Sequence, residues 1–97
     1  MRVVTLAPNL AEWVSEIIGR EETLKRLVGV SEYSEYPSYV TRIRNIGPYP
    51  RVHVEKILTL KPDLILALAE SNDEEQLKQL ERLKLKVVRL PQERLSN

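Results

Sequence analysis

Two kinds of hydrophobic spacing alternate along this chain. Short uninterrupted apolar runs read as buried strands, and stripes at i, i+3, i+4 and i+7 read as half-buried helices. Val3-Val4-Thr5-Leu6-Ala7 opens as a strand, and Pro8-Asn9 stops it. Leu10, Trp13, Val14, Ile17 and Ile18 then share one helical face. Asn9 is placed as its N-cap, Glu12 stands in capping-box register and Gly19 sits just past its end. A helical turn over Glu21 to Arg26 leads into a second strand, Leu27-Val28-Gly29-Val30.

Ser31 to Pro50 breaks this pattern. It holds all four tyrosines and three of the six prolines, and reads as loop. Within it, a helical turn is expected near Ser38 to Thr41 and a short strand around Asn45 to Gly47. Val54, Ile57, Leu58 and Lys61 mark a helix that begins near His53 and is ended by Pro62. Leu64-Ile65-Leu66-Ala67-Leu68 is the clearest strand, and such an unbroken run implies that both sheet faces are covered. Ser71-Asn72-Asp73-Glu74 opens a further helix whose buried stripe is Leu77, Leu80 and Leu83. Lys86 to Leu90 supplies a fifth strand, closed by Pro91.

This alternation predicts an α/β, three-layer fold: a flavodoxin-like parallel five-stranded sheet with helices on both faces. The strand order expected for it is 2-1-3-4-5. Residues 1–91 form a single lobe, and residues 92–97 a tail with no evident packing partner. Ligands of such sheets sit outside the carboxyl ends of the strands. The loops there are Pro8-Asn9, Ser31 to Pro37, Gly47 to Arg51 and Ala69 to Asn72.

Composition narrows the possible functions. The 97 residues suffice for one modest core without a deep cavity, so a ligand must lie on a face or between chains. Fifteen basic against fourteen acidic residues leave a net charge of +1, which argues against an electrostatically driven nucleic-acid binder. The absence of cysteine excludes disulfides, thiolate metal sites and cysteine nucleophiles. The longest apolar run is far too short to span a bilayer, and the N-terminus lacks the pattern of a signal peptide.

The first strand–helix loop, Ala7-Pro8-Asn9-Leu10, carries no glycine, which does not suit a dinucleotide or flavin phosphate. The clustered carboxylates of a receiver domain are absent too. His53 is the lone histidine, and local capping accounts for it better than metal ligation. Glu70 and Asp73 read as a loop acid and a helix N-terminal acid. No nucleophile and base converge, so no catalytic residue, metal or cofactor is expected. Trp13 belongs to the packed stripe. Tyr33 and Tyr49 flank the proline-rich loops and fit two roles equally, stacking on a flat apolar ligand or packing the loop onto the sheet. Tyr36 and Tyr39 are read as packing residues. Glu55 suits a helix first turn and could also meet a basic partner.

Several segments read together resemble a known family. They are Arg2 to Pro8, Leu27 to Ser31 followed by Tyr33 and Tyr36-Pro37, Ile46-Gly47-Pro48-Tyr49, Val54-Glu55-Lys56-Ile57 and Lys61-Pro62-Asp63-Leu64-Ile65. In this order they resemble the N-terminal lobe of a class III solute-binding protein of an ABC importer, the group that captures cobalamin, haem and ferric siderophores. The resemblance implies two α/β lobes joined by a long helix, a ligand clamped between them and no covalent chemistry. It implies ligand-binding platforms at Tyr33 and Tyr49 and a docking contact from Glu55 to the permease; beside these, backbone groups around Asn9 and Ser71 are expected as polar contacts. A further aromatic of cobalamin-binding members would fall on Leu68, so the chain departs from that pattern there. The parent protein is expected to be extracytoplasmic. The chain ends where the connecting helix would begin, which suggests an isolated or truncated lobe that binds its metal chelate weakly or not at all alone. The alternative is a flavodoxin-like folding module without ligand. In either case the exposed cleft face could pair with the missing lobe or with a second copy.

Overall fold

Two paired segments form the centre of the sheet, one buried throughout and the other at every residue but its first. They are β1 (Val3–Thr5) and β4 (Leu64–Leu68). The computed structural model describes residues 1–91, so the tail expected at 92–97 lies outside the described residues. β1 and β4 pair in parallel, with Val3 opposite Leu64, Val4 opposite Ile65 and Thr5 opposite Leu66. β2 (Leu27–Val30) lies on the other side of β1, β3 (Arg44–Asn45) lies beyond β2, and β5 (Val87–Leu90) lies beyond β4. All four pairings are parallel.

The five-stranded parallel α/β sheet is the one expected, but its order is 3-2-1-4-5 and not 2-1-3-4-5. The reason lies in the third strand. Arg44 and Asn45 are both exposed and only two residues long, so they cannot occupy a central position buried on both faces. The connection before them holds only a 3-10 turn (Ser38–Arg42), and β3 settles against the free edge of β2.

Three helices cover the sheet: α1 (Pro8–Arg26), α2 (Val54–Leu60) and α3 (Glu74–Arg82). Alternation along the strands sends Val3, Leu66 and Leu68 to the α1 face, where Leu10, Ala11 and Val14 meet them. Val4, Ile65 and Ala67 go to the opposite face, under Ile57 of α2 and Leu77 and Leu80 of α3. Each fully buried leucine contributes about 1.5–3 kcal/mol by leaving water. Gly19 interrupts α1 with φ +83°, so the element is two helices across a kink, as the glycine signals.

Three local expectations are corrected. The N-cap of α1 is Ala7, without a side-chain cap; Pro8 takes the first helical turn, where its missing N–H costs nothing, and Asn9 is inside the helix. Ile17 and Ile18 do not reach the core; they are exposed and line a shallow apolar groove with Trp13, Leu64 and Leu66. One helix on that face is too few to cover β4 and β5. Leu83 ends α3 in an exposed position, because the chain turns back towards β5 there.

Candidate functional site

The loops at the carboxyl edge are held by specific bonds. After β2, the Ser34 N–H donates to the Ser31 carbonyl at 3.3 Å, closing a turn that carries Tyr33 at φ +67°. The Glu32 N–H donates to the Gly47 carbonyl at 2.8 Å and ties this turn to the loop after β3. A left-handed tyrosine is uncommon and costs about 1–2 kcal/mol. Here it leaves the ring 74% exposed, free to be covered by something flat.

Gly47 follows β3 at φ +110°, with its N–H held by the Asn45 Oδ1 at 2.7 Å. A Cβ there would lie 3.0 Å from the His53 backbone nitrogen, so only glycine fits. His53 precedes α2 as its N-cap residue without a side-chain cap, and Glu55 stands exposed in the helix's first turn.

The loop that carries Tyr49 is fastened to the start of α3. Asn72 is 6% exposed; its Oδ1 accepts from the Leu68 N–H at 2.8 Å, and its Nδ2 donates to the Leu6 carbonyl at 2.9 Å and the Pro50 carbonyl at 3.2 Å. Arg51 pairs with Asp73, and the guanidinium holds the Asp73 carboxyl below its ordinary pKa. Asp73 also caps α3, accepting from the Glu75 and Gln76 N–H groups. Gln76 exchanges two bonds with the Val52 backbone, at 3.0 and 2.7 Å. On the far side of α3, Arg89 of β5 bridges Glu74 and Glu81, each at 2.8 Å, and holds both carboxyls below their usual range.

Of the expected site residues, Tyr33, Tyr49 and Ser71 lie on these loops, Asn9 in the first turn of α1 and Glu55 in the first turn of α2. Tyr33 is exposed, and Tyr49 is half-buried against the α1-side core. Asn9 borders a shallow hollow together with Tyr33 and Tyr36. Ser71 is half-buried in the loop before α3. Tyr36, expected to pack, is instead 72% exposed beside Tyr33; its flanking proline was the available signal. Tyr39 does pack on the core, with the Arg20 guanidinium 5.5 Å above its ring. Leu68 is buried in the core and offers no platform. Asn72 and Gln76 are the residues that sequence reasoning missed. A polar side chain near a helix start reads as a cap, and only the fold shows that these two serve another loop. Among the described residues no cluster of three metal-ligating side chains occurs, and no helix is long and apolar enough to cross a membrane.

A parallel lobe of this order, with aromatic residues grouped on the loops at its carboxyl edge, matches one lobe of the class III solute-binding proteins of ABC importers, and the chain is a relative of those proteins. No protein-family model matches it. Over 86 residues it is 37% identical to the vitamin B12-binding protein of Vibrio vulnificus (strain YJ016), a match covering 89% of this chain and 30% of that protein. A periplasmic haem-binding protein from Pseudomonas aeruginosa superposes with a TM-score of 0.80 at 30% identity, over 93% of this chain and 31% of that one. The siderophore-binding protein FhuD of Vibrio cholerae, solved with Fe3+–Desferal, superposes with a TM-score of 0.70 at 35% identity, over 94% of this chain and 33% of that one. The chain thus spans about a third of the length of the proteins it matches.

Proposed function

We propose that the chain is the N-terminal, ligand-facing lobe of an extracytoplasmic solute-binding protein that delivers a metal chelate such as cobalamin, haem or a ferric siderophore to an ABC-importer permease. It works by binding and release, without covalent chemistry. The observation that carries this reading is the grouping of Tyr33, Tyr36 and Tyr49 on carboxyl-edge loops of a lobe similar to proteins named for those three ligands. Tyr33 and Tyr49 act as stacking platforms, Asn9 and Ser71 supply polar contacts, and exposed Glu55 meets a basic permease residue. A site of this shape encloses its ligand only when a second lobe or a second copy closes over it, so one lobe binds weakly.

The test is an NMR titration of the isotopically labelled chain with cyanocobalamin, haem and ferrioxamine B. At least one of them is expected to give saturable shifts confined to the loops around Tyr33 and Tyr49. The Tyr33→Ala/Tyr49→Ala variant should keep its fold and lose the response. An unchanged response in that variant, or no response to any of the three, overturns the reading.

A further inference from the structure

The net charge of +1 conceals a division between the two edges of the sheet. All the strands run the same way, so the residues that precede them share one edge, opposite the tyrosine loops. Arg2 precedes β1, Arg26 precedes β2 and Lys86 precedes β5. The three helices return to this amino edge, and Lys61 and Lys84 follow the ends of α2 and α3 there. Bonds draw these ends together: the Arg2 Nε donates to the Leu60 carbonyl at 2.7 Å, and the Ile65 N–H to the Lys86 carbonyl at 2.9 Å. Arg2, Arg26, Lys61, Lys84 and Lys86 are all exposed. Of the acids near this edge, Glu22 pairs with Lys25 and Arg26, Asp63 accepts from the Arg2 backbone N–H, and Glu81 is held by Arg89. At the carboxyl edge the sign reverses, with Glu32, Glu35, Glu55 and Glu70.

Exposed aliphatic side chains gather among the same cations. Leu24 lies in the last turn of α1, Leu58 in the last turn of α2 and Leu83 just past α3, and they are 38%, 41% and 45% exposed. Met1, beside Arg2, is exposed too and shares an apolar groove with Arg26. A single exposed leucine is ordinary, but one at the end of every helix, all on one cationic edge, makes a patterned surface. A cation in a last helical turn complements the helix dipole, which accounts for Arg26 and Arg82. It does not account for Arg2 and Lys86, which lead into strands, or for leucines left in water beside the charges.

We propose that the amino edge docks on an anionic lipid surface, with its cations at the headgroup phosphates and its leucines dipping into the acyl boundary. A nucleic acid would use the cations and leave the leucines idle, and a single strand would need rings to stack on. The exposed rings, Tyr33 and Tyr36, are at the other edge. Docked in this way, the lobe holds its tyrosine loops away from the lipid. The inference stands on the charge and the leucines alone and does not depend on what those loops bind.

The experiment sediments the chain with vesicles of phosphatidylglycerol and phosphatidylcholine in equal parts, and with vesicles of phosphatidylcholine alone. Binding to the first, weakened as salt is raised, and none to the second are expected. Lys86→Glu should weaken binding about tenfold or more, since each cation near such a surface counts for about fivefold and reversal changes the charge by two. Lys78→Glu makes the same change of net charge on the exposed middle of α3 and should weaken binding far less. Leu83→Ser should weaken it about threefold or more. Circular dichroism checks that each variant is folded, and Lys84→Glu replaces Lys86→Glu if that variant is not. No binding to the anionic vesicles, equal binding to both kinds, equal effects of the two charge reversals, or full binding by Leu83→Ser overturns the proposal. So does duplex DNA bound as tightly as the vesicles, which would make the edge a general polyanion surface. A mass in light scattering that rises with concentration, and does not in Lys86→Glu, would assign the edge to the carboxyl-edge acids of a second copy instead.

Discussion

Replacing Asn72 by alanine tests how the candidate site is held. The side chain makes three bonds, to the Leu68 N–H, the Leu6 carbonyl and the Pro50 carbonyl. Leu6 and Leu68 are buried, so their polar groups lose these partners without gaining water. Leaving a buried polar group unpaired costs about 1–3 kcal/mol, less for a carbonyl that keeps another lone pair engaged. Pro50 is exposed, and water replaces the amide at its carbonyl at little cost. The sum is a loss of about 3 kcal/mol, which lowers the melting temperature of a domain this size by about 12–24 °C. Urea unfolding followed by circular dichroism measures the loss. Amide hydrogen exchange should also show faster opening at Val52, because the loop has lost one of its ties to α3. A loss below about 0.5 kcal/mol, the range of an ordinary surface substitution, would refute the argument that these bonds are buried and unreplaced.

Gly47→Ala should destabilise the lobe by about 2–3 kcal/mol, since its positive φ is costly for any side chain and the new Cβ presses on the His53 backbone. Gly19→Ala, with positive φ but open space around it, should cost only the strain of about 1–2 kcal/mol. Equal losses in the two variants, read by denaturant unfolding, would sink the distinction. Glu74 and Glu81 are held below their ordinary pKa by Arg89 and Asp73 by Arg51, so each contributes stability above the unfolded carboxyl range and loses it as the pH falls through the lowered value. The urea midpoint should therefore drop as the pH falls below about 4.5, and Arg89→Ala should flatten that decline without abolishing it. An identical acid limb in the variant would show that the Arg89 bridges do not couple to folding.

Where a segment's structure depends on its own spacing, the sequence is legible. The run from Leu64 to Leu68 is a strand buried on both faces because it can be nothing else, and Asp73 with its following acids starts a helix as expected. Strand order depends on which strand tolerates an edge, and the exposure of Arg44 and Asn45 carries that information more weakly than the pattern of alternation does. That the expected ligand loops share the carboxyl edge was legible, since open α/β sheets bind ligands outside the carboxyl ends of their strands. What could not be read was the division of labour among them. Tyr36 and Tyr39 both neighbour prolines or polar residues, yet one points outward and the other packs under Arg20. Apart from Leu68, the side-chain partners of Asn72 and Gln76 lie more than twenty positions away in the chain, beyond any local pattern.

Pro50, Arg51 and Val52 are each tied in turn to Asn72, Asp73 and Gln76. The tyrosine at position 49 thus takes its place from a helix that comes later in the chain. Loop and helix turn form one transplantable unit. Grafting residues 46–53 from a relative onto this lobe would carry over a tyrosine without its address, and the address is written in residues 72–76. Insertions between β4 and α3 would shift the loop that carries Tyr49 while leaving its own residues intact. The place of Tyr49 can therefore drift through substitutions at residues 72–76 that leave its own loop unchanged.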